Sequence, residues 1–380
     1  MRILVVASWY PTQTNMVRGS FIREQALALA RQGNDVDVFY FDSSPRSVPL
    51  TIRSERRDGL VEHGIALPYP LHRLLGFYLP SVLARSLRRL VLNGGYDIVH
   101  AHAARPAAVV SEMALRGLAV PLVITEHRGN LSGFWLTEHG RKQVKTAYTR
   151  CAQLVAVSKS LRASIEGCFP DLSGHCGVFY NGVDTERFDT ISGIEAEDRR
   201  GAILFLGGVA ENKGLSLLLD ALAQLPRDIQ LTVAGPGATQ EAVMPLAERR
   251  SVSGRVRAIG LVSRQQVVEL MNRHAVLAVP SRYETFSLVA AEALACGTPV
   301  VATRCGGPEE ILREPFGKLV PLGDSRAFAD AVAIFTKREA APCLMARQWV
   351  LENFSILRLV SDLQNLYSEV LRDPKYAALA

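Results

Sequence analysis

Between Ser281 and Thr303 the chain is almost entirely apolar or small, yet it keeps two carboxylates eight positions apart, Glu284 and Glu292. An ionised carboxylate is costly to bury without a partner, so two acids in such a segment imply a task. The segment follows a short apolar run, AVLAVPS (275–281), and reads as a helix beginning near Thr285 to Ser287. Glu284 then stands just before the helix and Glu292 in its second turn. The unpaired N–H groups of the first turn (Thr285, Phe286 and Ser287) and the positive dipole end suit phosphate oxygens. Lys213, which follows another short strand, AILFLG (202–207), adds a point charge for the same anion. Carboxylates beside a phosphate site accept hydrogen bonds from hydroxyls. Two acids flanking one anion site therefore suggest hydroxyls on both sides of a diphosphate, the chemistry of a nucleotide sugar.

Other candidates follow the ends of other apolar runs. Gly19 and Ser20 come after the first run and open the helix SFIREQALALARQG. His127 comes two residues after LVIT (122–125), and Glu309 and Glu310 follow PVVAT (299–303) through Gly306–Gly307. His100 and His102 lie on the run DIVHAH and are expected on opposite faces, with His102, at the strand end, the one to meet a cleft. Asp35 and Asp37 form a D-x-D, but inside an alternating strand, where ordinary strand polarity accounts for them better than a metal site.

These positions need a scaffold. Short β-branched runs at 2–8, 35–41, 97–102, 122–125 and 153–158 alternate with helix-length segments, and the pattern restarts at 202–207, 230–235, 256–260, 275–281 and 299–303. This is the pattern of buried parallel strands joined by helical crossovers. With 380 residues, the chain is expected to form two doubly wound α/β lobes. The stretch YNGVDTERFDTISGIEAEDRR (180–200) reads as the connection, and LRLVSDLQNLYSEVL (357–371) as an amphipathic helix. In open parallel sheets ligands bind at the carboxyl ends of strands, which is where the candidates above emerge.

Composition narrows the class. The chain is 48% hydrophobic and 21% charged with a net charge of +6, globular and mildly basic, which suits an anionic small molecule, an anionic lipid surface or nucleic acid and does not choose among them. No apolar stretch approaches the roughly 18 residues of a membrane span. The opening MRILVVASWYP reads as a buried strand rather than a signal peptide. Cys151, Cys168, Cys176, Cys296, Cys305 and Cys343 form no C-x-x-C pair and are expected to be reduced thiols in a cytoplasmic protein.

Several motifs together resemble one family. YETFSLVAAEALACGTPVVAT (283–303) is similar to the E-x7-E segment of the family-4 retaining glycosyltransferases with the GT-B fold, and the likeness runs along nearly the whole chain. YPTQTNMVRGSFIREQALALARQGNDVDVF, DIVHAH, VSKSLR, YNGVDTERF, GGVAENKGLSLLLDAL and CGGPEEIL occur in the family's order and spacing. The resemblance implies two Rossmann-like lobes facing a central cleft: an acceptor lobe over 1–180, a nucleotide-sugar lobe over 181–356, and a helix over 357–380 crossing back to the first lobe. It implies that Glu284 bonds the transferred sugar and Glu292 the ribose. Backbone amides of Thr285, Phe286 and Ser287, with Lys213, would hold the diphosphate. Gly19 would let its loop approach the same phosphates, and His127 would stand between sugar and acceptor.

Two departures from the family's pattern stand out. Gly208 stands where the family has arginine, so Arg18, Arg23 or Arg282 would have to supply that phosphate contact, and Thr285-Phe286-Ser287 replaces Gly-Phe-Gly. The expectation is a hexosyltransferase using a UDP-, GDP- or ADP-sugar, with no metal or other cofactor, a lipid-linked or saccharide acceptor and no nucleic-acid partner. Its expected place is cell-surface polysaccharide or glycolipid synthesis. The basic, apolar segment 66–93 could rest on the inner face of the plasma membrane. The competing readings are a nucleotide-sugar epimerase of similar two-lobed fold and a hinged two-lobe binding protein.

Overall fold

The computed structural model describes residues 1–12, 15–42, 50–67, 79–129, 137–194, 199, 201–336 and 343–377. Contacts divide the chain into two compact units, Met1–Gly182 with Ile356–Ala380, and Val183–Ser355.

The first unit is built on strands β1 (Arg2–Ala7), β2 (Asp35–Asp42), β3 (Ile52–Arg57), β4 (Leu60–Ala66), β5 (Ile98–His102), β6 (Leu122–Glu126), β7 (Gln153–Ala156) and β8 (Cys176–Val178). They form one sheet in the order β3-β4-β2-β1-β5-β6-β7-β8, parallel throughout except for the antiparallel β3–β4 pair. Ile3 to Ala7 are all buried, as are Ile98 to His102 and Leu122 to Glu126, so these strands are covered on both faces. IRSERR of β3 is the reverse: five of its six residues are exposed, and its charges blunt the sheet edge. The chain leaves β1, forms the helix Ser20–Arg31 and returns through β2, whereas β5 lies on the other side of β1. The carboxyl ends of β1 and β5 therefore mark a switch point of the winding.

The helix Ile356–Arg372 belongs to this unit. Its stripe of Leu359, Leu363, Leu366 and Val370 packs with Ile22 and Leu29 of the helix Ser20–Arg31 in one apolar cluster. Tyr367 is fully buried there and its hydroxyl lies 2.6 Å from His100 Nδ1.

The second unit has a wholly parallel sheet of β9 (Ala202–Leu206), β10 (Gln230–Ala234), β11 (Val256–Gly260), β12 (Val276–Val279), β13 (Val300–Thr303) and β14 (Gly317–Val320), ordered β11-β10-β9-β12-β13-β14. Leu218, Leu219 and Leu222, from the helix Leu215–Leu222, join Phe328 and Val332 in its core. Here the winding reverses between β9 and β12, so the loops after these two strands meet at the switch point. Every strand anticipated from the sequence is present within two residues of its expected ends, while β3, β4, β8 and β14 were not anticipated. Part of the connection 180–200, namely 195–198 and 200, lies outside the described residues.

Candidate functional site

Lys213 follows β9 and Glu284 follows β12, and the switch point brings them together: Lys213 Nζ lies 2.7 Å from Glu284 Oε1. Ser281 Oγ donates to the same oxygen at 2.7 Å. The Glu284 side chain is 12% exposed and that of Lys213 34%, so this is a half-buried, charge-assisted cluster that still reaches solvent. The Glu284 backbone is held too, its N–H donating to Cys305 O and its carbonyl accepting from Gly307 N. Four residues on, the helix Leu288–Ala295 begins. Its N-cap, Ser287, has a left-handed backbone (φ 75°), makes no side-chain cap, and leaves its buried Oγ without a partner among the described residues. A non-glycine residue in that region is strained by about 1 kcal/mol. Serine accordingly takes the backbone shape that glycine usually supplies. Gly307 seals the loop from behind, its α-carbon so close to Phe286 that an added Cβ would lie 2.4–2.5 Å from three Phe286 backbone atoms.

Glu292 sits in the second turn of that helix, 4% exposed, and Arg264 Nη1 bonds its Oε1 at 2.8 Å. The Arg264 guanidinium also stacks over the Phe188 ring at 4.7 Å. Glu292 is therefore a buried acid with a cation already beside it, and any hydroxyl it binds shares it with Arg264. An arginine partner for Glu292 is the ordinary alternative to a ligand role, but nothing in the sequence marks Arg264 as that partner, because it lies 28 residues away on another crossover. Ser281 was legible only as a strand-end serine.

Gly19 and His127 lie in the first unit. Gly19 caps the helix Ser20–Arg31 with φ 70°, and a Cβ there would stand 2.3 Å from Trp9 O, so only glycine lets this loop lie against the end of β1. His127 follows β6 and is 8% exposed, with Phe21 tilted against its ring at 4.9 Å. Its Nε2 lies 3.0 Å from His102 Nδ1, the two nitrogens sharing one proton, while its Nδ1 is buried with no partner among the described residues. Burial pushes the His127 pKa down to about 3 and that of His102 well below its usual value, so both rings are neutral at physiological pH. Glu126 anchors the turn. Its carboxylate accepts from the N–H groups of Ala104, His127 and Arg128 and from Tyr148 Oη, and burial raises its pKa against the pull of these bonds.

Two expectations need correction or completion. His100 and His102 do not face opposite sides. Residues two apart on a strand share a face, and the rings lie 4.3 Å apart, so His100 forms the buried base of the group, between Tyr367 and Thr125, and His102 bridges to His127. Of the proposed substitutes for the missing arginine, Arg23 is bound to Glu62 and Asp58 and Arg282 to Glu211, whereas Arg18 lines a cavity of the first unit. Asp37 of the D-x-D accepts from Tyr96 Oη at 2.6 Å, in keeping with a structural role, and among the described residues no group of three or more His, Cys, Asp or Glu is arranged to hold a metal. All six cysteines are free thiols. In segment 66–93, residues 68–78, including Arg73, lie outside the described residues. The helix Leu79–Gly94 buries Leu83, Leu87 and Val91, exposes Arg85 and Arg89, and ties Arg88 to the carbonyls of Ala114 and Arg116. Among the described residues no helix is long and apolar enough to cross a membrane.

Known proteins share this architecture. The family descriptions "Glycosyltransferase Family 4" and "Glycosyl transferases group 1" match residues 19–187 and 200–337. The chain is 30% identical over 383 residues to D-inositol 3-phosphate glycosyltransferase of Mycolicibacterium smegmatis, covering 93% of this chain and 86% of that one. It is 29% identical over 233 residues to an uncharacterised glycosyltransferase of Methanocaldococcus jannaschii, covering 61% of this chain but only 63% of that protein. Among solved structures, HepE of Anabaena in complex with UDP superimposes with a TM-score of 0.75 at 21% identity over 97% of this chain and all of that one, and it has also been solved with UDP-glucose. Two parallel-sheet, Rossmann-like units of this kind are the GT-B fold. The chain belongs to the family-4 glycosyltransferases.

Proposed function

We propose that the enzyme moves a hexose-type sugar from a nucleotide diphosphate sugar to a hydroxyl acceptor, with retention at the anomeric carbon. One observation carries this reading: the Lys213–Glu284 pair stands at the switch point of the second unit, directly before the uncapped amino end of the helix Leu288–Ala295. Those N–H groups and Lys213 suit the diphosphate, Glu284 suits hydroxyls of the hexose, and Glu292 suits the ribose. The complexes of HepE with UDP and UDP-glucose support a nucleotide-sugar donor.

In the proposed step the bond from the anomeric carbon to the β-phosphate oxygen breaks, and the acceptor oxygen attacks from the same face. The acceptor proton passes to the departing phosphate oxygen, giving the glycoside and a nucleoside diphosphate. Helix dipole and Lys213 offset the charge that develops on the leaving group, so no metal is invoked. Lys213 has three donor hydrogens and can bond phosphate while keeping Glu284. His127, neutral and with Nδ1 unpartnered among the described residues, is assigned to bind the sugar or acceptor hydroxyl on the first unit.

The setting we propose is cell-surface polysaccharide or glycolipid synthesis on the cytoplasmic face of the plasma membrane, with the exposed Arg85 and Arg89 meeting anionic lipid. Thermal-shift measurements with UDP-, GDP- and ADP-sugars, followed by NMR of the product's anomeric configuration with and without chelator, test the reading. A stabilising shift with one base, a retained configuration and indifference to chelator are expected. No shift with any nucleotide sugar, or an inverted product, would overturn it.

A further inference from the structure

Glu292 and Arg264 form a buried ion pair that local preference does not call for. The helix LVAAEALA (Leu288–Ala295) buries Ala290, Ala291, Ala293, Leu294 and Ala295 around Glu292, so an apolar residue at 292 would suit its surroundings. Replacing both members of a buried ion pair by apolar side chains is often neutral or stabilising. Arg264 gains nothing from its own helix either: it is the first residue of Arg264–Asn272, where the positive dipole end disfavours a cation. The pair stands beyond the carboxyl ends of β11 and β12, where ligands of such sheets bind.

The guanidinium is fixed from three directions. Its Nη1 donates to Glu292 Oε1 at 2.8 Å, and its face covers the fully buried Phe188 ring at 4.7 Å. Its backbone is set by a capping box, in which Ser263 Oγ accepts from Gln266 N at 3.2 Å and Gln266 Oε1 accepts from Ser263 N at 2.9 Å. Phe188 is in turn tied to the helix that carries Glu292. Arg347 Nη1 donates both to Phe188 O at 2.8 Å and to Ala295 O, at the last residue of that helix, at 2.9 Å, with Asp189 3.0 Å away as its counter-charge. The Glu292 side chain is only 6% exposed and that of Arg264 29%, so the pair keeps one open edge.

We propose that Arg264 is a positioning residue for nucleoside recognition: it clamps Glu292 in one orientation, so that the carboxylate meets the vicinal hydroxyls of a ribose and the site rejects a nucleotide lacking one of them. A carboxylate free to turn could follow a single remaining hydroxyl. One held by Arg264 and Phe188 keeps its direction, and a missing hydroxyl then leaves a buried acceptor short of its donor. This selectivity deepens the transfer reading above and rests on its assignment of Glu292 to the ribose.

The test is calorimetric titration of the full chain with whichever of UDP, GDP and ADP binds most tightly, and with its 2′-deoxy and 3′-deoxy counterparts. The wild-type enzyme is expected to prefer the ribonucleotide at least about tenfold over one or both deoxy forms. Arg264→Met, which keeps a long side chain against Phe188 without the guanidinium, is expected to narrow that preference to within about threefold, chiefly by weakening the ribonucleotide. Arg264→Lys, which keeps the charge but not the planar fork, is expected to lie between. Arg264→Met strands a buried acid, so the double variant Arg264→Met with Glu292→Gln, which has neither charge, is measured beside Glu292→Gln; the two are expected to bind the ribonucleotide alike, because the clamped carboxylate is gone from both. Absence of any preference in the wild-type enzyme overturns the proposal. So does a full preference kept by Arg264→Met or, should that protein not fold, by Arg264→Lys, since a merely structural arginine would lower all three affinities together. A preference lost in Glu292→Gln but kept in the Arg264 variants sinks this inference alone. A preference kept in Glu292→Gln sinks the ribose assignment and the clamp with it, and failure of all three nucleotides to bind sinks the transfer reading.

Discussion

Replacing Gly307 by alanine tests the loop that presents backbone amides to the diphosphate. Gly307 has an ordinary right-handed backbone (φ −55°, ψ −44°), so alanine meets no conformational objection. The obstacle is space, since the new Cβ would lie 2.4–2.5 Å from the N, Cα and C atoms of Phe286, and an ordinary contact begins near 3.4 Å. The Phe286 backbone must therefore retreat by about 1 Å, carrying the amides of 285–287 and the Glu284 carbonyl with it. Overpacking of this kind costs about 1–3 kcal/mol of stability, partly offset by the lower chain entropy of unfolded alanine relative to glycine. A misplacement of about 1 Å at a reacting group costs about 100-fold in rate, equivalent to about 2.7 kcal/mol. The expected signature is a modest fall in melting temperature with a kcat/KM for transfer about two decades down and weaker nucleotide binding. Gly254→Ala in the same unit, where an added Cβ meets nothing within 4 Å, is the control. Normal nucleotide affinity and kcat/KM in a destabilised Gly307→Ala protein would refute the role given to these amides.

Tyr367→Phe removes the hydroxyl beside His100 Nδ1 and leaves a fully buried ring nitrogen unsatisfied, so denaturant titration should register a loss of about 1–3 kcal/mol. His102→Gln should cost about tenfold in kcat with donor KM little changed, because His127 loses the bond that orients it, and steady-state kinetics would expose any other pattern. Burial holds His100 and His127 near pKa 3 and His102 well below its usual value, whereas the unfolded chain titrates near 6.5. Below pH 6.5 the unfolded state thus binds more protons than the native one, and stability should fall with pH by about 1.4 kcal/mol per unit for each such histidine. Melting temperatures recorded from pH 7 to pH 5 would contradict this if they stayed level.

Strands buried on both faces were legible because they are unbroken β-branched runs. β3 escaped notice since IRSERR is a charged edge, and β14 since GKLV is short and half polar. The positions of Glu284 and Lys213 could be read because a parallel sheet delivers ligand groups at strand ends, and these two residues follow strands that turn out to be neighbours. Their bond could not be read, nor could that of Arg264 to Glu292 or of His102 to His127, because each joins residues 25 or more apart whose proximity only the strand order decides. The backbone of Ser287 shows the same limit from another side: serine does not announce a left-handed residue, and the surrounding packing imposes it.

The most direct measurement compares the affinities of a nucleoside diphosphate and its sugar conjugate for the wild-type enzyme, Lys213→Ala and Glu284→Gln. If the helix end and Lys213 grip the diphosphate while Glu284 grips the hexose, Lys213→Ala weakens both ligands alike. Glu284→Gln then leaves the nucleoside diphosphate within about twofold and removes the extra affinity of the sugar, about tenfold for a charged hydrogen bond. Equal losses for both ligands in Glu284→Gln, or no loss in Lys213→Ala, would contradict the account.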